Sequence, residues 1–111
     1  MSETFIIRLR FSRQEPAIWL AHLDMMRTFE RSIRRADLPI CWSQGYNPRP
    51  QMTFALPISA GLATTGDYLD ISLTEDLDPA LVMARLNHSL PTGFAILDAS
   101  RTAPSKASLM S

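Results

Sequence analysis

The sequence predicts an α+β domain of the ferredoxin-like βαββαβ type, a four-stranded antiparallel sheet with two helices on one face. Three observations carry this reading. Residues 4–12 and 67–74 alternate apolar and polar side chains with the period of a half-buried strand. Residues 22–36 and 79–89 instead repeat apolar residues at helical spacing. Short apolar runs at 38–42, 51–56 and 94–99 complete an order that fits two split βαβ units with right-handed crossovers. In that arrangement the first and third strands lie in the middle of the sheet.

In the first strand Phe5, Ile7, Leu9 and Phe11 share one face, and Ile6, Arg8, Arg10 and Ser12 the other. Arg13-Gln14-Glu15-Pro16 breaks it. In the first helix His22, Met26, Phe29, Ile33 and Ala36 form an apolar stripe, with Arg27, Arg31, Arg34 and Arg35 on the opposite side. Asp24 is spaced to pair with Arg27 and Glu30 with Arg34, which leaves Arg31 and Arg35 freer. Asp37-Leu38-Pro39 ends the helix. Residues 38–42 form a short second strand, and 51–56 resume it or pair beside it. Leu69, Ile71 and Leu73 face inward, while Tyr68, Asp70 and Ser72 face outward on the side without helices. Arg8 or Arg10 opposite Asp70 makes a cross-strand ion pair there. Asp78-Pro79 opens the second helix with an N-cap and a proline at its first position, and the helix stops before Pro91-Thr92-Gly93. Residues 1–100 read as one domain, and 101–111 as a flexible tail or the start of a missing second half.

Composition bounds the function. A chain of 111 residues with 46% hydrophobic content can bury a core, and no apolar run approaches a membrane span. One cysteine, Cys41, excludes an internal disulfide and a cysteine-cluster metal site, and fits a cytoplasmic setting. The zero net charge divides unevenly. Residues 1–50 hold eight arginines against five acids, and residues 51–111 hold three basic residues against six acids. Ten of the eleven basic residues are arginine, the better fork for phosphate or carboxylate. Codon usage explains an arginine bias equally well, and a strongly basic nucleic-acid-binding domain is excluded.

The most unusual chemistry lies in Trp42-Ser43-Gln44-Gly45-Tyr46-Asn47-Pro48-Arg49-Pro50-Gln51. Gly45 and Asn47 tolerate positive φ, while Pro48 and Pro50 stiffen their neighbours, so the segment is a rigid extended loop. It holds Gln44, Tyr46, Asn47 and Arg49 in a set geometry, and such loops often carry function. The enzymatic motifs are missing: there is no Gly-rich phosphate loop, HExxH pattern or nucleophile elbow. His22 lies beside the apolar stripe and reads as a satisfied, half-buried histidine, with His22 and Asp24 in support of a site rather than as catalysts. An autonomous enzyme would need these two residues and the loop to converge in one pocket.

Seven segments occur together in one known family. They are Arg8-Leu9-Arg10-Phe11-Ser12, His22-Leu23-Asp24 with Met26-Arg27, Phe29-Glu30-Arg31, Arg34-Arg35-Ala36, Ser43-Gln44-Gly45-Tyr46-Asn47-Pro48 with Pro50, Phe54-Ala55-Leu56-Pro57, and Asp67-Tyr68-Leu69-Asp70-Ile71. On these residues the chain resembles the radical-SAM-linked domain of unknown function. That domain is found fused to, or encoded beside, a radical SAM protein that often has a cobalamin-binding region. The resemblance covers most of residues 5–100 and implies a bacterial cytoplasmic protein acting with a radical SAM enzyme, with RNA as the expected substrate. The iron–sulfur cluster, SAM and any cobalamin would sit in that partner, with no cofactor or metal in this chain. Two departures stand out. Thr64-Thr65-Gly66-Asp67 replaces a glutamate-bearing segment, and family members are longer, so the chain resembles an N-terminal half.

Together these readings point to a non-catalytic recognition module. Arg31, Arg34 and Arg35 would join Gln44, Tyr46, Asn47 and Arg49 on one face, with Arg8, Arg10 and Tyr68 as a second patch on the open sheet. The alternative is a module that docks on the radical SAM enzyme without touching nucleic acid, through an exposed apolar patch.

Overall fold

The structure is a computed structural model that describes residues 4–43, 45–55 and 64–102. Four antiparallel strands form one sheet in the order β2-β3-β1-β4: β1 is Phe5–Arg13, β2 Met52–Phe54, β3 Thr64–Leu73 and β4 Phe94–Thr102. Helix α1, His22–Arg35, and helix α2, Pro79–Ser89, pack on one face, so the fold is the ferredoxin-like α+β arrangement. β1 and β3, the two most cleanly alternating runs, are the central strands. Ile7, Leu9 and Phe11 of β1 meet Leu69, Ile71 and Leu73 of β3 in a core closed by Phe29 and Ile33 of α1 and Val82 and Leu86 of α2. Edge-to-face ring pairs link Phe29 to Phe11 at 5.0 Å and to Phe94 at 5.3 Å between centroids. Such pairs add about 0.5–1.5 kcal/mol each beyond the area they bury.

The open face carries the expected ion pair. Arg8 lies opposite Asp70 in register and grips it with two bonds, Nε to Oδ1 at 3.0 Å and Nη2 to Oδ2 at 3.1 Å. That hydrogen bond to Asp70 raises the Arg8 pKa above its ordinary value. Asp78 caps α2 by accepting from the Ala80 amide at 3.1 Å, as its place before Pro79 predicts. At the far edge of the sheet, the Asn87 side chain of α2 donates to the Ile96 carbonyl at 3.1 Å and accepts from the Ile96 amide at 2.7 Å.

Several expectations need correction. In the stripe of α1 Phe29 and Ile33 are buried as expected, but Met25 is fully buried while Met26 is half-buried. Ser32 is buried as well, and its carbonyl accepts from the Ser89 hydroxyl of α2 at 2.9 Å. β1 does not stop before Arg13. That residue pairs with both neighbouring strands and is fully buried, and burial lowers its guanidinium pKa while Asp67 opposes the shift. β4 runs to Thr102, past the strand end expected at residue 99, and residues 103–111 lie outside the described residues. Residues 38–42 form no ladder of their own, only single bridges from Ile40 to Leu73 and from Trp42 to Pro50.

The turn from α2 into β4 depends on Gly93, whose φ is +105°. A Cβ there would lie 2.6 Å from Ala17 Cβ and 2.8 Å from the Gln14 carbonyl oxygen, and the Gly93 carbonyl itself accepts from the Gln14 amide. Gly93→Ala should therefore destabilise the fold by more than about 2 kcal/mol, through backbone strain and overpacking together. A urea titration checks this as a large drop in the midpoint.

Candidate functional site

Ile40 lies opposite Leu73 and Met52 opposite Ile71, so a step of two residues along β3 corresponds to twelve along the other chain segment. Ten residues are therefore pushed out of the edge strand. Both ends of the excursion meet at Ser72, whose carbonyl accepts from the Cys41 amide at 2.7 Å and whose amide donates to the Gln51 carbonyl at 3.1 Å. The neck is closed by Gln51 donating to the Cys41 carbonyl and by Ser43 donating to the Arg49 carbonyl, both at 2.8 Å. The Arg49 amide also donates to the Ser43 hydroxyl at 3.0 Å. The tip turns at Gly45, with φ +126° and open space where a Cβ would point.

The loop leans against α1 at two points. Arg49 Nη1 approaches Glu30 Oε2 at 3.4 Å, and the Arg34 guanidinium sits 4.9 Å above the Trp42 ring centre. The sequence-based pairing of Glu30 with Arg34 is thus replaced, because Arg49 of the loop reaches the carboxylate and the Trp42 face attracts Arg34. Among the described residues no ion pair joins Asp24 to Arg27.

Between loop and helix lies a cleft of about 350 Å³, lined by Glu30, Arg34, Tyr46, Asn47, Pro48, Arg49 and Pro50. Tyr46 is fully exposed at its rim. Arg31 and Arg35 do not enter this cleft. With Thr28, Ser32 and Pro91 they line a second hollow of about 220 Å³ on the other flank of α1. Helical geometry requires this, since Glu30 and Arg35 project about 140° apart. The expected single face is therefore divided in two by the exposed crest of α1. Gln44 lies outside the described residues.

His22 and Asp24 line neither hollow, and lie about 9–12 Å along the axis from Glu30. His22 is not the satisfied histidine expected: its ring packs edge-on to Phe54 at 5.4 Å, and its buried Nδ1 has no hydrogen-bond partner among the described residues. The second patch is on the open sheet face, where Asp70 occupies the Arg8 fork and Arg10 stands in register between Tyr68 and Asp98. Among the described residues no group of three His, Cys, Asp or Glu side chains could hold a metal, and no helix is long and apolar enough to cross a membrane.

Chemically the cleft offers an aromatic face, an amide, two guanidinium groups and one carboxylate. Glu30 and Trp42 are the residues that sequence reasoning misses. Glu30 stands four residues before an arginine, which on a helix signals a surface pair and hides a partner nineteen residues away.

Because nothing lies near a Cβ at residue 45, Gly45→Ala should cost only the backbone strain, about 1–2 kcal/mol. Measured by urea denaturation, that cost should be clearly smaller than for Gly93→Ala.

No curated protein matches the chain. A family model does, over residues 7–111, and its description is an uncharacterized protein conserved in bacteria, DUF2344. The match takes in both helices, the sheet and the whole excursion at Ser72, and on that coverage the chain belongs to this bacterial family.

Proposed function

We propose that the protein is a non-catalytic recognition module of the bacterial cytoplasm that presents RNA to a radical SAM enzyme. The observation that supports RNA is the cleft, where exposed Tyr46 stands beside Asn47, Arg34 and Arg49. A base can stack on the Tyr46 ring while the guanidinium groups meet phosphates, the combination used on single strands. Arg27, Arg31 and Arg35 extend positive charge over the crest, and none of the three has a carboxylate partner among the described residues. The radical SAM partner rests on the sequence resemblance. The iron–sulfur cluster, SAM and any cobalamin belong to that enzyme in this reading.

A second reading, docking on the enzyme without nucleic acid, is favoured by a separate observation. Trp19, in the short turn of residues 17–19 before α1, is 65% exposed, and Leu23 in the first turn of α1 is 53% exposed. Large apolar side chains left this open are typical of interaction surfaces.

A gel-shift titration of the chain with total small cellular RNA, across a salt series, separates the two. RNA binding should fall steeply with salt, with Arg34→Ala/Arg35→Ala and Arg49→Ala both weakening it. Removing an arginine that neutralises one phosphate should flatten the salt slope by about 0.7 on single strands. Lack of binding at low salt would transfer the conclusion to protein docking.

A further inference from the structure

Glu30 is the feature of the cleft that phosphate binding does not explain. A carboxylate repels phosphate, yet this one lines the same cleft as Arg34 and Arg49, with its side chain only 16% exposed. Its one polar neighbour is Arg49, which approaches Oε2 at 3.4 Å, and Oε1 has no hydrogen-bond partner among the described residues. Oε1 is not a buried unpaired atom, so it faces accessible space at the cleft and can receive donors from a ligand.

We infer that the cleft between α1 and the loop reads an unpaired guanine base, with Glu30 as the residue that selects it. This rests on the RNA reading and names the base. Guanine alone presents two adjacent donors, N1–H and the N2 amino group, which one carboxylate accepts together. Adenine and cytosine place an acceptor nitrogen next to their amino group, and uracil flanks its single N–H with two carbonyls. Each of those acceptors faces the lone pairs of Glu30 and is repelled. The Arg49–Glu30 pair sets a donor beside the carboxylate acceptors, the complement of guanine O6, N1–H and N2–H2 in order. Tyr46 supplies the stacking face at the rim, and a cleft of 350 Å³ lies at the small end of ligand pockets, suited to one planar base.

The test uses the full chain and five-nucleotide RNAs of sequence AAGAA, AAAAA, AACAA and AAUAA, with binding read by fluorescence anisotropy. AAGAA should bind about tenfold more tightly than the others, the discrimination of one bidentate base pairing. Inosine in place of guanosine, which lacks the N2 amino group, should lose much of that preference. Glu30→Gln should reduce the ratio of AAGAA to AAAAA affinity to under about twofold, because the amide replaces one acceptor with a donor. The inosine arm leaves the protein unaltered, so it holds even for a variant that folds poorly. Equal binding of the four RNAs, or a guanine preference that survives Glu30→Gln, would overturn the inference and leave the RNA reading standing. Absence of binding to any of them at low salt would overturn both. Free guanosine 5′-monophosphate binding as tightly as AAGAA would keep guanine recognition and overturn RNA as its source.

Discussion

The loop that forms one wall of the candidate cleft hangs from the backbone of Ser72. A strand that leaves a sheet edge exposes the donors and acceptors of its neighbour, and buried backbone groups left that way are destabilising. Here the chain departs at Cys41 and returns at Gln51, and the two residues share the amide and carbonyl of Ser72 between them. The ladder is thereby continuous across the gap, and the ten extruded residues do not interrupt it. The loop can carry polar and aromatic groups at its tip because its base is as well bonded as the strand it replaces. Ser43 and Arg49 then repeat the closure one step further out.

The other wall of the cleft gains its rigidity from the core. Phe29 and Ile33 are fully buried, and Glu30 and Arg34 follow each of them by one residue. The same helical turn that anchors α1 on the sheet therefore fixes the cleft side chains at their roots, the kind of support a binding site needs. The arginines benefit in a second way. Arg34 and Arg35 lie in the last turn of α1, where the helix dipole favours positive charge. Arg34 directs part of its charge at the Trp42 ring, which holds the loop without consuming a carboxylate.

How much of this is legible in the sequence varies with the range of the interaction. Alternation in β1 and β3, the register-compatible pairing of Arg8 with Asp70, and the Asp78-Pro79 start of α2 are local patterns, and all are present in the structure. The choice between Met25 and Met26 is not local: the two are chemically alike, and only the tertiary packing of α1 buries the first and leaves the second half-exposed. The loop is conspicuous from its prolines and glycine, yet its partner Glu30 is not, because an i,i+4 arginine offers a nearer explanation. The division of the arginines between two flanks is hidden for a simpler reason. Charge counted along a sequence carries no direction until the core fixes which way the helix faces.

Asn87 at the opposite edge has a bearing on how the protein behaves in a crowded solution. β4 is an outer strand of nine residues, and such an edge invites a second molecule to add its own strand. The Asn87 amide occupies both backbone groups of Ile96, imitating one rung of the missing neighbour. The β1–β4 register slips next to this rung, between Arg10 and Phe11, which twists the strand there. An incoming strand thus meets a filled rung and a bend in the first half of β4. One side chain from the second helix takes up the backbone donor and acceptor that a passing β-strand would need at this rung.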